Sequence, residues 1–178
     1  MGTPAPTPTF DLVYGEWFDE VVRWARAFGG APSELDDLAQ EVFVVVGRKL
    51  QAFDGDNLPG WLYGITKNTV SDYRRRSWFR QLWRGSDDSD VDTVLLDDRS
   101  GPAEMLERKQ ARELLFSMLQ KMSEKRRSAF VLFEIEGYSG EEIARLEGVP
   151  LQTVWTRIFH ARKELELRIA ELRAEGET

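Results

Sequence analysis

Apolar positions recur at helical spacing along most of this chain, and no stretch shows the strict alternation of a half-buried strand. From Phe10 to Phe28 the residues Phe10, Tyr14, Trp17, Phe18, Val21, Val22, Trp24, Ala25 and Phe28 would cover more than half of a helix's circumference, the mark of a core helix. Gly29-Gly30-Ala31-Pro32 breaks it, and Ser33 is placed to cap the next, Glu34 to Leu50. There Leu35, Leu38, Ala39, Val42, Val45 and Val46 form the face for burial. Asp37, Gln40, Glu41 and Arg48 lie mostly opposite, with Phe43 and Val44 falling towards them, so that side reads either as a docking surface or as a polar face with stray apolar residues.

Phe53-Asp54-Gly55-Asp56-Asn57-Leu58-Pro59-Gly60 carries the residues of a loop. The helix that follows turns Leu62, Ile65, Thr69 and Tyr73 to one side and Trp61, Asn68, Ser71 and Arg75 to another. A tryptophan, an amide and arginines on one surface suit single-stranded nucleic acid, because rings stack on unpaired bases and cations hold the backbone. The alternative is a core tryptophan beside a solvated arginine end. Aromatics and arginines stay interleaved through Trp78, Phe79, Arg80, Trp83 and Arg84.

After an acidic break the helical period returns from Pro102 to Met122 through Met105, Leu106, Leu114, Leu115, Met118 and Leu119. Ser123 opens another helix, apolar at Ala129, Phe130, Leu132, Phe133 and Ile135 and ending at Gly137. Ser139 with Glu142 forms a capping-box start, Gly148 stops that helix, and Val149-Pro150 leads into a last one with Val154, Ile158, Ala161 and Leu165 on its inner face. Ala144 and Gly148 are the small residues that a steep helix crossing and its corner need. This is a helix-turn-helix pattern. Gln152, Thr153, Trp155, Thr156, Arg157, His160 and Lys163 lie outside the inner stripe and are candidates for reading a major groove.

Charge changes the picture in one respect. A net charge of −7 over 178 residues is unexpected for a protein that holds phosphate, but the acid is concentrated. Residues 85–101 hold six aspartates against one arginine, whereas Asp72 to Arg84 holds five arginines against one aspartate. Asp88, Asp90 and Asp92 resemble a calcium loop, but Thr93 and Arg99 stand where glycine and glutamate would be needed, so the stretch reads as a linker. The acid remaining elsewhere implies weak DNA binding unless a large partner adds affinity. The absence of cysteine excludes disulfides and thiolate metal sites, and the single histidine, His160, excludes histidine clusters; neither a cofactor nor catalysis is expected. No apolar run is longer than that of Val42 to Val46, which is too short to insert in a membrane, and a cytoplasmic location is expected.

Three motifs of the first half and two of the second bring a family into view. Asp36-Asp37-Leu38-Ala39-Gln40-Glu41-Val42-Phe43, Phe53-Asp54-Gly55-Asp56 and Trp61-Leu62-Tyr63-Gly64-Ile65-Thr66-Lys67-Asn68 are followed by Gly137 to Ala144 and by Gly148-Val149-Pro150 through Lys163. From Phe10 to Leu172 the chain resembles the extracytoplasmic-function (ECF, group IV) sigma factors of bacterial RNA polymerase. The resemblance implies an all-α fold: two small helical domains joined by a flexible acidic linker, the second containing the helix-turn-helix. A disordered tail at 1–9 would precede a region 2 domain at 10–84, a linker at 85–101 and a region 4 domain at 102–178.

It also implies roles. Asp37, Gln40, Glu41, Phe43, Val44 and Arg48 would dock on core RNA polymerase. Asp56, Asn57, Trp61, Asn68, Ser71, Arg74, Arg75 and Arg76 would capture and melt the single-stranded −10 element. Gln152, Thr153, Trp155, Thr156, Arg157, His160 and Lys163 would read the duplex −35 element, although Trp155 and His160 stand where relatives often carry Lys or Arg. An anti-sigma factor is a further implied partner. The competing readings are a free-standing helix-turn-helix regulator, which would have no use for the Trp61 and Asn68 surface, and a helical adaptor that binds polymerase but not DNA.

Overall fold

A computed structural model describes residues 8–54, 56–84 and 102–176, with seven α-helices and no strand among them. The tail at 1–7 and the acidic linker at 85–101 lie outside the described residues, as do the side chains of Trp78, Phe79, Arg80, Trp83, Arg84 and Met105. Helix α1 spans Phe10–Ala27. A 3-10 turn at Pro32–Glu34, which takes in Ser33, leads into α2, Leu35–Lys49. The third helix, α3, runs Leu58–Arg84. α4 is Pro102–Lys121, α5 is Glu124–Phe130, and a π-helical turn at Val131–Ile135 leads towards α6, Gly140–Glu147, and α7, Leu151–Gly176.

In the front half α1, α2 and α3 pack together around Val21, Trp24, Leu38, Val42, Val46 and Leu62. In the rear half α5, α6 and α7 close around Ala129, Leu132, Ile143, Val154, Ile158 and Ala161. These are the apolar stripes that the sequence predicts, and burying them is the main force for assembly. α4 departs from its prediction. Met118 and Leu119 are buried, but Leu106 is 57% exposed, and Leu114 and Leu115 also face water, so only the last turns of the helix are seated.

The halves are joined across the linker. α1 packs on α5 and on the π-helical turn, and α3 packs on α6, so one buried cluster runs through both halves. Polar contacts line the seam. Arg26 meets Glu136 at 2.5 Å, Lys67 meets Glu124 at 3.3 Å, and the Tyr138 hydroxyl donates to Glu20. Gln120 Nε2 donates to the Gly29 carbonyl at 3.0 Å, and Arg127 Nη2 donates to the Phe28 carbonyl at 2.8 Å.

Candidate nucleic-acid interface

The first surface starts with how α3 begins. Asn57 adopts a left-handed backbone, φ 45°, in which its carbonyl accepts from Trp61 N at 3.0 Å and its Oδ1 accepts from Gly60 N at 3.1 Å. Asparagine tolerates this conformation because its side chain replaces missing backbone partners. Asn57, a −10 candidate by sequence, is thus also the cap that orients Trp61. Asp56 stands exposed beside it, its N–H bonded to Asp54 Oδ1 at 3.1 Å.

Trp61 lies half-buried against the Phe53 ring, centroids 4.9 Å apart. At the next turns Asn68, Ser71 and Arg75 follow on the outer side of α3, all exposed. Between Trp61 and Asn68, Gly64 leaves open space, since a Cβ there would meet nothing within 4 Å. An aromatic edge, bare backbone, an amide, a hydroxyl and a cation therefore follow one another on one side, as expected for a surface that takes unpaired bases.

The three arginines expected to act together diverge. Arg75 shares the outer strip and pairs with Asp72 at 2.6 Å. Arg76 turns towards α2 and meets Glu41 at 3.0 Å. Arg74 turns towards the rear half, where burial lowers its pKa against the pull of Glu124. Successive residues on a helix are separated by about 100°, so three adjacent arginines cannot share a face.

On α2, Asp37, Gln40, Glu41, Val44 and Arg48 are exposed as a group. Phe43, expected at the polymerase-docking face, is instead a core residue: it is 2% exposed, with the rings of Phe10, Tyr14 and Phe18 packed on it at centroid distances of 4.8 to 6.3 Å. The polar residues of α2 suggest an outward Phe43, but the arrival of α1 across that edge makes it interior.

The second surface is the corner between α6 and α7. The Ser139 hydroxyl accepts from Glu142 N at 3.2 Å and the Glu142 carboxylate accepts from Ser139 N at 2.8 Å, completing the capping box. Donation to the Glu142 carboxylate by the Ser139 N–H, and then by the Ser139 hydroxyl at 2.8 Å, holds this carboxyl below its usual pKa. Gly148 takes the left-handed corner at φ 62°. The tightest approach, however, is at Gly140, where a Cβ would come within 2.7 Å of the Trp155 ring; the sequence suggests Ala144 for this role.

α7 separates the residues proposed as one reading face. Trp155 lies on one flank, edge-on to Phe133 at 5.2 Å. Arg157 lies on the other, its side chain only 17% exposed and paired with Glu147, which also accepts from the Tyr63 hydroxyl at 3.2 Å and from Ser128 Oγ at 2.9 Å. Burial, and then the Glu147 carboxylate, push the Tyr63 hydroxyl well above its usual pKa, so it stays a donor. Thr153 is half-buried, while Gln152, Thr156, His160 and Lys163 are open to solvent. Phe159 joins them, 61% exposed. Its spacing from Gln152 and Lys163 is legible in the sequence, but an apolar side chain does not suggest itself as a reader.

Comparisons with known proteins fall on the same two surfaces. The family pattern described as Sigma-70 region 2 matches residues 13–80, and Sigma-70 region 4 matches residues 112–165. The chain is 33% identical over 171 residues to the ECF RNA polymerase sigma factor SigE of Mycolicibacterium smegmatis, covering 96% of this chain and 65% of that protein. It is 31% identical over 149 residues to the ECF RNA polymerase sigma-E factor of Escherichia coli K12, covering 78% of this chain and 75% of that one. Among solved structures, CnrH in complex with the cytosolic domain of CnrY is similar with a TM-score of 0.57 and 26% identity, over 91% of this chain and 88% of that chain. The sigma factor RpoE of Bartonella quintana, solved with the anti-sigma factor NepR, shares the fold with a TM-score of 0.59 at 21% identity, over 90% of this chain and 96% of that chain.

Proposed function

Since the chain belongs to the family of extracytoplasmic-function RNA polymerase sigma factors, we propose that it is a promoter-specificity subunit that works in the bacterial cytoplasm and carries no catalytic site of its own. The observation that carries this reading is the presence, on one chain, of two separate exposed strips whose side chains suit nucleic acid: Trp61, Asn68, Ser71 and Arg75 on α3, and the outer line of α7. A free-standing helix-turn-helix regulator needs only the second.

In this reading the region 2 domain spans 10–84 and the region 4 domain 102–178, with the acidic linker between them. Asp37, Gln40, Glu41, Val44 and Arg48 dock on core polymerase. α3 then takes bases of the −10 element out of the stack, an act costing a few kcal/mol that stacking on Trp61 and hydrogen bonds from Asn68 offset. α7 sits in the major groove of the −35 element, with Lys163 on phosphate. A modestly cationic reader suffices because polymerase supplies the remaining affinity. An anti-sigma factor that shields these surfaces is the partner proposed for regulation.

Run-off transcription with core polymerase and genomic promoter fragments tests this. Initiation dependent on the added chain is expected; no initiation at any fragment, while another sigma factor works in the same assay, would refute it. Trp61→Ala is expected to leave core-polymerase binding unchanged and to cost roughly 1 to 3 kcal/mol in open-complex formation. An equal loss in polymerase binding would make Trp61 a structural residue of the Phe53 contact instead.

A further inference from the structure

On the outer side of α7, Gln152, Thr156, Phe159 and Lys163 follow at steps of four, three and four residues, which places them on one line of the helix. Phe159 stands in the middle of that line and, among the described residues, is the most exposed of the large hydrophobic ones. Its ring is 5.5 Å, centroid to centroid, from the imidazole of His160 and nearly perpendicular to it. Thr156 contributes less polarity than its type suggests. Its Oγ1 donates to the Gln152 carbonyl at 2.8 Å, so the hydroxyl proton is committed to the backbone and the methyl is the group left to offer.

We propose that Phe159, with the Thr156 methyl beside it, forms an apolar contact that reads the C5-methyl group of a thymine in the major groove. Among the four bases only thymine presents a methyl on that edge. Guanine, adenine and cytosine present acceptors and donors there, which a phenyl ring would strip of water without replacing the hydrogen bonds. The surroundings favour duplex DNA over a protein helix as the occupant. From Leu151 to Lys163 there is no acidic residue; Arg157 is turned inward onto Glu147 and Arg162 pairs with Glu134, so Lys163 is the cation on this line and the Gln152 amide stands at its other end. An apolar ring on a line that begins at an amide, ends at a lysine and carries no carboxylate matches a groove floor that presents methyl groups between phosphate walls. This inference rests on α7 being the −35 reader and names a base that it selects.

The test uses the full chain assembled with core polymerase. Holoenzyme first selects preferred sequences from a duplex library randomised over the upstream element. Each thymine of the selected duplex is then replaced singly by deoxyuracil, which removes only the methyl. At one position the wild-type holoenzyme is expected to bind about fourfold more weakly, the effect of one lost buried methyl-sized group. Phe159→Ala is expected to bind the methylated and unmethylated duplexes alike, whereas Leu167→Ala, an exposed site farther along the helix, should keep the wild-type preference.

If sequences are selected but no deoxyuracil substitution weakens the wild type, or Phe159→Ala retains the same dependence, the inference is overturned and the −35 reading survives. If no upstream sequence is enriched at all, the −35 reading falls and the inference with it. If Phe159→Ala binds every duplex as the wild type does but associates less with core polymerase, the ring is a protein-docking residue and the inference is likewise overturned.

Discussion

Arg127 is 1% exposed and is held by carbonyl groups, its Nη2 on Phe28 and its Nη1 on Met122 at 3.4 Å. The Phe28 carbonyl belongs to the end of α1, where the last carbonyls lack helical partners and carry partial negative charge, so a cation there is favourable. Burial lowers the Arg127 pKa to about 10, with Arg74 adding to the effect and Glu124 opposing it, which still leaves the group charged at neutral pH. Gly29 makes room for the guanidinium: its φ is 90°, and a Cβ would lie 2.9 Å from Arg127 Nε. Arg127→Met should therefore cost about 1 to 3 kcal/mol by leaving the Phe28 carbonyl unpaired. Gly29→Ala should cost a similar amount through backbone strain of about 1 to 3 kcal/mol. Urea denaturation measures both, and an unchanged midpoint for Arg127→Met would mean that water reaches the carbonyl.

At the scale of elements, the capping box of α6 is the piece most open to a direct test. Ser139→Ala should lose about 1 kcal/mol. Glu142 adds a pH dependence whose sign follows from its lowered pKa: a carboxylate favoured in the folded state stabilises above the usual glutamate range and loses that effect as pH falls through its folded value. The difference in Tm between the wild type and Glu142→Gln should thus shrink on going from about pH 6 to about pH 3. A constant difference would show that the carboxylate contributes nothing beyond its neutral form.

This cap was legible in the sequence because it depends on residues three apart. So were the Gly148 corner, the inner stripe of α7 and the Trp61 to Arg75 strip, each set by the helical period alone. Phe43, Arg157 and the unseated length of α4 were not legible. Their environments are decided by α1 crossing α2, by Glu147 reaching across the corner, and by how few of the described residues pack on the exposed length of α4, none of which leaves a periodic trace. The branching of Arg74, Arg75 and Arg76 was readable from the helical period but is obscured when a run of like residues is taken as one group.

For the whole molecule, the seam between the halves has a consequence for how the chain comes apart. The buried cluster continues from α1 and α3 into α5 and α6, and Arg127 and Gln120 of the rear half complete the end of α1. Neither half can melt without stripping polar partners from the other. Calorimetry should therefore record a single transition, with the van't Hoff and calorimetric enthalpies equal. An engineered protease site within residues 85–101 provides the complementary measurement: after cleavage the two fragments should elute together from a sizing column, and separate elution or two resolved transitions would contradict the shared core. Cooperativity of this kind sets the linker apart from the force that holds the halves together: covalent continuity raises their effective concentration, while the seam itself supplies the bond.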